Sequence, residues 1–349
     1  MLEKIQFYLD RFLTEIIMIF VLSSMLFYYG IVLLWPQFNS ENSSKISISK
    51  GSTLIDVSNQ LFDQRIIKNK KSFILAVKIL GYEKDLPAGK FLIEEATTNY
   101  CIIKKIVNSV ALSKKMTILE GWSVNDIALE LESKFNIRKD SFLKAVKSPR
   151  LLRNWKIDSN SFEGYLFPDT YLLPEDASPE DVINKMVSEY NNNISAVMRK
   201  RMAEINLSEN EVLTLASIIE GEAIFDSERP RISGVYHNRL KKRMRLQADP
   251  TIQYIIEDSP RRLLNKDLKI KSPYNTYLNY GLPPGPINNP GIESIKAALY
   301  PEDVDFLFFV ARGDGYHTFT RTEKEHNKAK KEFQKIRRKN KKLKKANNT

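Results

Sequence analysis

The stretch Leu215-Ala216-Ser217-Ile218-Ile219-Glu220-Gly221-Glu222-Ala223 places two glutamates at the end of an otherwise apolar run. A carboxyl can protonate a leaving oxygen and later take a proton back, so the geometry of these two residues decides what chemistry is open to them. Ser208 followed by Glu211 has the spacing of a capping box, which predicts a helix starting near Glu209. Val212, Leu215, Ala216 and Ile219 then recur at helical intervals and predict one buried stripe. Glu220 falls at the edge of that stripe, where partial desolvation would raise its pKa and keep a proton available for general acid work. Glu222 projects from the other flank, roughly 160° away at about 100° per residue. The two therefore cannot form a catalytic pair in one pocket. On this helix alone, two solvated glutamates near a helix end is the simpler reading.

Other chemistries find less support. The only histidines are His237, His317 and His326, with no H-E-x-x-H or comparable spacing, so a metal hydrolase is disfavoured and no metal site is expected. No G-x-S-x-G elbow is present, and the single cysteine, Cys101, lies far from the glutamate helix in sequence. A carboxylate enzyme acting on sugar fits better. Tyr, Asn, Gln and Asp side chains beside loops stiffened by proline would offer stacking surfaces and hydrogen bonds to hydroxyls. A non-catalytic binding or scaffold protein fits these residues equally well. Glu163 and Asp169 are chemically eligible, but their setting among aromatics and Pro168 favours a structural role.

The elements that must position these groups follow from the rest of the chain. Its 349 residues allow one to three domains with sizeable cores. The formal charge of +12 is concentrated at one end, because residues 324–349 alone carry a net +10. The basicity belongs to a tail, which argues against a nucleic-acid-binding surface. Ile16 to Trp35 is twenty residues without a charge, long enough to cross a bilayer, with Tyr28, Tyr29 and Trp35 suited to an interface. A cleaved signal peptide would need a shorter apolar core and a small-residue cleavage site. Lys4 and Arg11 before the span balance Lys45 and Lys50 after it. The short N-terminal tail and long C-terminal body favour the N-terminus inside and the body outside.

After a polar linker, the segment from Ser47 to Val57 matches Thr117 to Ile127 in pattern at an offset of 70, with Gly51 against Gly121 and Asp56 against Asp126. Each copy predicts a strand, a glycine turn and a capped helix. With a strand at Lys90–Ile93, residues 46–150 read as a small α+β module. Pro179-Glu180-Asp181 opens a further helix, and another spans about Glu228–Lys242. The run Gly281-Leu282-Pro283-Pro284-Gly285-Pro286-Ile287-Asn288-Asn289-Pro290-Gly291 can be neither helix nor central strand, only a stiff irregular loop. Phe306–Ala311 predicts a buried strand, turned at Gly313-Asp314-Gly315 into a hairpin with His317-Thr318-Phe319.

The glutamate helix, Leu246-Gln247-Ala248-Asp249-Pro250-Thr251-Ile252-Gln253-Tyr254, Ser272-Pro273-Tyr274-Asn275-Thr276-Tyr277, the proline loop, the hairpin and His326-Asn327 together resemble the YceG-like endolytic murein transglycosylases. The resemblance covers about residues 45–335. It implies an α+β chain: an N-terminal tail (1–15), transmembrane helix (16–35), linker (36–45), LysM-like peptidoglycan-associated module (46–150), connecting segment (151–205), mixed α+β catalytic domain (206–323) and basic tail (324–349). It also implies cleavage of the β-1,4 bond between N-acetylmuramic acid and N-acetylglucosamine, with Glu220 as the catalytic glutamate and no cofactor. Most glycosidases use two carboxylates. A lytic transglycosylase needs one, because the muramic acid's own C6 hydroxyl attacks C1 and closes a 1,6-anhydro ring. Gln247, Asp249, Asn275 and Tyr277 match polar positions of the family's motifs and are the expected substrate contacts, although Asp249 before Pro250 could instead cap a turn. His317 is expected either at the groove rim or as a structural histidine. Gly221 stands where a bulkier polar residue is expected, which would loosen the helix end. The tail, which extends beyond the family pattern, is expected to be disordered and drawn weakly to anionic surfaces. The implied setting is the cytoplasmic membrane, held through residues 16–35, with the body facing the wall. The expected partners are peptidoglycan strands and wall-synthesis enzymes.

Overall fold

The structure is a computed structural model that describes residues 2–35, 44–49, 51–83, 86–87, 89–93, 98–108, 113–175 and 177–346. The expected linker lies, up to residue 43, outside the described residues. The first elements in chain order are α1 (Leu2–Leu34), β1 (Ser44–Ile48), α2 (Leu54–Asp63), α3 (Lys70–Ile79), β2 (Gly89–Ile93), α4 (Asn99–Asn108) and β3 (Ser113–Thr117). Next come α5 (Val124–Phe135), α6 (Lys139–Val146), α7 (Pro149–Trp155), β4 (Thr170–Pro174), α8 (Pro179–Asn193) and α9 (Ala196–Glu204). The chain continues with α10 (Glu209–Glu222), α11 (Arg229–Lys241), α12 (Asp249–Ile255), α13 (Ile292–Leu299), β5 (Phe308–Ala311), β6 (His317–Thr320) and α14 (Glu323–Ala346). Strands pair only in twos, β1 with β2, β3 with β4 and β5 with β6, among the described residues. The architecture is mixed α+β and dominated by helices.

Two compact units divide the chain, residues 1–115 with 172–176, and residues 116–171 with 177–349. This differs from the expected division, in which one module ran to residue 150. The second copy of the repeat therefore belongs to the unit that carries the glutamate helix.

In the first unit, α1 runs back to Leu2 instead of starting at Ile16. Its apolar part, Phe12–Leu34, has 23 residues and a mean hydropathy of 2.4, enough in length and composition to cross a membrane. Its last turn is built into the unit's core: Val32 is buried with Ile46, Leu61, Phe73 and Phe91. Asn99 Nδ2 donates to Val32 O at 2.8 Å and to Ser72 Oγ at 3.0 Å, so the end of α1 is held by α3 and α4 as well as by apolar contact.

The sequence repeat has a matching local structure. Thr53 and Asp56 form a reciprocal capping box at the start of α2, and Ser123 and Asp126 form the same one at α5. The turn glycines have φ of +83° at Gly51 and +79° at Gly121, a region costly for other residues.

The second unit is organised around α10. Ser208 and Glu211 close the expected capping box. Beyond it every residue from Val212 to Ile219 is buried, not one stripe, because α9, α11, α12 and α13 surround the helix. Ser217 shows how closely they do so. Its hydroxyl donates to Thr214 O and accepts from the Ile287 amide at 3.0 Å, which stitches the proline loop to the helix.

Gly221 has a packing reason. A methyl group there would stand 2.6 Å and 2.8 Å from ring atoms of Pro250, so only glycine lets the start of α12 lie against α10. The helix runs on through Glu222 and is not loosened. Gly221→Ala is expected to lower stability by about 1–3 kcal/mol, the usual cost of overpacking, in denaturant unfolding of the full chain in detergent. An unchanged midpoint would mean that the Pro250 contact yields freely.

The hairpin forms as expected, with Phe308 opposite Thr320 and Ala311 opposite His317, although β5 is half-buried instead of buried. The basic tail departs from expectation. Residues 323–346 form α14 and are not disordered. Thr322 and Glu325 cap its start through reciprocal bonds of 3.3 Å and 3.2 Å. His326 is buried and stacked on Phe308, and Phe333 and Ile336 meet the hairpin turn at Gly313. The charge count of the tail concealed this apolar side.

Candidate active site

Glu220 lies in the last turn of α10, and two other segments meet its carboxylate. Arg229, the first residue of α11, brings Nη1 to 3.1 Å from Oε1. The amide of Gly291, just before α13, donates to Oε2 across 3.0 Å. Both side chains of the pair are nearly buried, 7% exposed for Glu220 and 6% for Arg229. Arg229 in turn donates from Nε to Asp226 at 2.8 Å and from Nη1 to Ser294 Oγ. A lone buried carboxylate would carry a penalty of several kcal/mol, and this cation and amide offset it. On the helix pattern alone a solvated Glu220 is the simpler reading, and its nearly buried side chain corrects that. Its cation was not legible, because Arg229 belongs to the next helix.

Glu222 faces a different set of groups. The Tyr236 hydroxyl donates to its Oε1 at 2.9 Å. Burial, and then the charge of Asp249, push its carboxyl up to about 7. No partner is common to the Glu220 and Glu222 contacts, in keeping with their opposite flanks on α10.

The carboxyl that joins Glu220 is Glu120, in the turn after β3. Its side chain lies against Gly291, where a methyl group would fall on the Glu120 carboxyl. The neighbouring Gly121 faces Glu220, since a methyl there would be 3.5 Å from Glu220 Cγ. Glu120 remains exposed as a residue, yet the covering of its carboxyl, and then the charge of Glu220, raise its pKa.

Asn289 holds this turn in place. Its carbonyl accepts from Gly121 N at 2.9 Å, and its amide N–H and its Nδ2 both donate to Trp122 O at 2.9 Å. Its Oδ1 accepts from Gly164 N at 2.8 Å and Leu166 N at 3.0 Å. One fully buried asparagine thus joins the Glu120 turn, the 162–167 segment and the proline loop.

Glu163 belongs to the same frame. Its Oε1 accepts from Val124 N at 3.0 Å and Asn289 Nδ2 at 3.2 Å, and burial pushes its carboxyl up to about 8. A carboxyl raised on folding contributes its stability in full below about pH 4.5 and loses it as the pH climbs through the folded value. From pH 5 to pH 7 the native chain should lose about 2–3 kcal/mol more stability than Glu163→Gln, which has no such proton to release. Parallel pH-dependent unfolding curves for the two proteins would contradict this.

The expected substrate contacts separate into two kinds. Gln247 and Asp249 are exposed, and Gln247 has φ of +49°, held there by its amide donating to Thr276 O at 3.1 Å. Asp249 Oδ1 accepts from the Tyr277 hydroxyl at 2.5 Å. Asn275 is fully buried. Its amide donates to Leu268 O and Ile270 O, and its Oδ1 accepts from Tyr277 N at 2.8 Å. It positions Tyr277 and presents nothing to solvent. Asp249 opens α12 beside Pro250, so the Gly221 contact brings this polar cluster to the end of α10 that carries Glu220.

His317 resolves as a structural histidine. Its Nδ1 stands 2.9 Å from Glu228 Oε2, with 10% and 7% exposure. His237 Nε2 meets Ala298 O at 2.9 Å. Among the described residues no group of three His, Cys, Asp or Glu could hold a metal ion. A further feature escaped the sequence reading: Phe225 and Tyr316 stack at 4.3 Å and 20°, both partly exposed, one residue from Asp226.

An α10 glutamate paired with an arginine, with a second carboxyl beside it and a proline-stiffened loop at its border, makes a candidate carboxylate site. The YceG-like family model matches residues 46–332, and the chain belongs to that family. It is 36% identical over 324 residues to the endolytic murein transglycosylase of Bacillus subtilis, covering 88% of this chain and 89% of that protein. It is 29% identical over 304 residues to the endolytic murein transglycosylase of Streptococcus pneumoniae, covering 78% of this chain and 55% of that longer protein. The 2.6 Å crystal structure of the yceG-like protein lmo1499 from Listeria monocytogenes matches with a TM-score of 0.58 and 36% identity, over 83% of this chain and 99% of that one.

Proposed function

We propose that this chain cleaves the β-1,4 bond between N-acetylmuramic acid and N-acetylglucosamine within nascent peptidoglycan strands and leaves 1,6-anhydro ends. It is an enzyme, a lytic transglycosylase acting on peptidoglycan. The observation that carries the specific reading is the Glu220 carboxylate, held between Arg229 and the Gly291 amide beside exposed polar and aromatic side chains. Glu220 protonates the leaving oxygen as the bond to C1 breaks. It then takes the proton of the C6 hydroxyl as that oxygen bonds to C1. The carboxylate produced in the first step is stabilised by Arg229 and the amide, which are in place beforehand. Because the hydroxyl belongs to the same sugar, its proximity replaces an activated water.

Gln247, Asp249 and Tyr277 are the proposed sugar contacts, with Asn275 acting through Tyr277. The Phe225–Tyr316 stack adds an apolar surface suited to a sugar face. The part of the first unit that follows α1 is assigned the LysM-like association with peptidoglycan. Residues 16–35 anchor the chain in the cytoplasmic membrane with the body outside, near nascent strands and the enzymes that make them. A non-catalytic peptidoglycan-binding scaffold is the competing reading.

Mass spectrometry of peptidoglycan incubated with the full chain separates the possibilities. Anhydro-muramic ends are the expected product. Reducing ends would make the enzyme a hydrolase, and glycan binding without new ends would make it a scaffold.

A further inference from the structure

We propose that Glu120 and Glu220 act as one proton-sharing acid–base pair, with Glu120 holding the proton that Glu220 delivers. This rests on the transglycosylase reading and answers a difficulty within it. Both Glu220 oxygens are engaged, one by a cation and one by an amide donor. A general acid needs a proton, and Glu120 is placed to hold one.

Gly291 is where the two carboxyls meet. Its N–H bonds Glu220 Oε2, and its Cα is covered by the Glu120 carboxyl. The Glu120 turn is locked to the next residues of the same loop by the Asn289 bonds to Gly121 and Trp122. The charged groups that act on Glu120 are Glu220 from α10, Arg229 and Asp226 from the start of α11 and the turn before it, and Glu293 from α13. Arg229 alone among them favours an ionised Glu120. The other three, together with burial, oppose it. Two carboxyls that meet at Gly291, one of them paired with Arg229, are placed to hold one proton between them, as like-charged carboxyls do.

The proton balance is complete. The shared proton passes to the leaving oxygen as its bond to C1 breaks, which leaves both carboxyls charged against Arg229. The C6 hydroxyl then bonds to C1, and its proton returns to the pair. No other reactant is consumed.

Glu120→Gln leaves Glu220 to hold the proton alone beside Arg229. The turnover rate should fall about ten- to a hundred-fold at neutral pH with little change in KM, no more than the lower end of general acid–base effects because Glu220 remains. The alkaline limb of the pH profile should also move to lower pH, because the like charge that raised the last proton's pKa is gone. Gly291→Ala, which forces the Glu120 carboxyl aside, should shift the limb in the same direction. It should do so much less in a Glu120→Ala background.

A wild-type pH profile retained in Glu120→Gln would overturn the pair while leaving Glu220 as the acid. A second readout does not depend on turnover. Carbon-13 carboxyl NMR of the glutamate-labelled full chain in detergent, with Glu120 assigned by its loss in Glu120→Gln, should show its titration move to lower pH in Glu220→Gln. An unmoved Glu120 titration overturns the pair whether or not the chain cuts glycan, whereas absence of anhydro ends from the wild type counts against the transglycosylase reading alone.

Discussion

Glu220→Gln is expected to end the release of anhydro-ended muropeptides from purified peptidoglycan, with a loss of at least about 10³-fold and the fold unchanged. The amide keeps the shape of the carboxyl. Its carbonyl oxygen can still accept from Gly291 N, and Arg229 retains Asp226 and Ser294. What disappears is the ability to give and take a proton, which both halves of the reaction require. Far-UV circular dichroism should therefore match the wild type while product vanishes, with the thermal midpoint lowered by the loss of the Arg229 ion pair. Undiminished anhydro product from the folded variant would sink the assignment of Glu220. Product that falls only in step with a lowered midpoint would make Glu220 a structural residue.

The local signals in the sequence were strong where the causes were local. The caps at Ser208, Ser123 and Thr53 depend on residues three apart, and all three close as capping boxes in the structure. The hairpin around Gly313 and Gly315 and the irregular proline loop follow from backbone constraints carried by the residues themselves. The separation of Glu220 from Glu222 needed only the helical period.

Where the sequence reading fell short, the cause was tertiary. A stripe was expected on α10 because polar residues interrupt the run, yet Thr214 and Ser217 are buried and satisfied by hydrogen bonds to backbone groups. Glu120 was visible only as one position of a repeated strand-turn-helix unit. Its placement against Gly291 depends on the Asn289 bonds, made across more than 160 residues of chain. The tail read as solvated because its charge is high, while the few residues that dock it, His326, Phe333 and Ile336, are sparse. Gly221 looked like a weakness until Pro250 was seen against it.

Arg229→Met is expected to cost about 3–5 kcal/mol of stability near pH 7.5, the loss that follows when one partner of a buried ion pair is removed. The methionine fills part of the space, but Glu220 is left 7% exposed with only the Gly291 amide for a partner. Asp226 contributes little to this loss, because its side chain is 71% exposed and water can take over. The double variant identifies the cause. Adding Glu220→Gln to Arg229→Met should recover most of the loss at pH 7.5, because no buried charge then remains. Denaturant unfolding of the two single variants and the double variant at pH 7.5 checks this. A deficit unrelieved in the double variant would mean that Arg229 acts by packing and hydrogen bonding to Ser294 and not through the charge of Glu220.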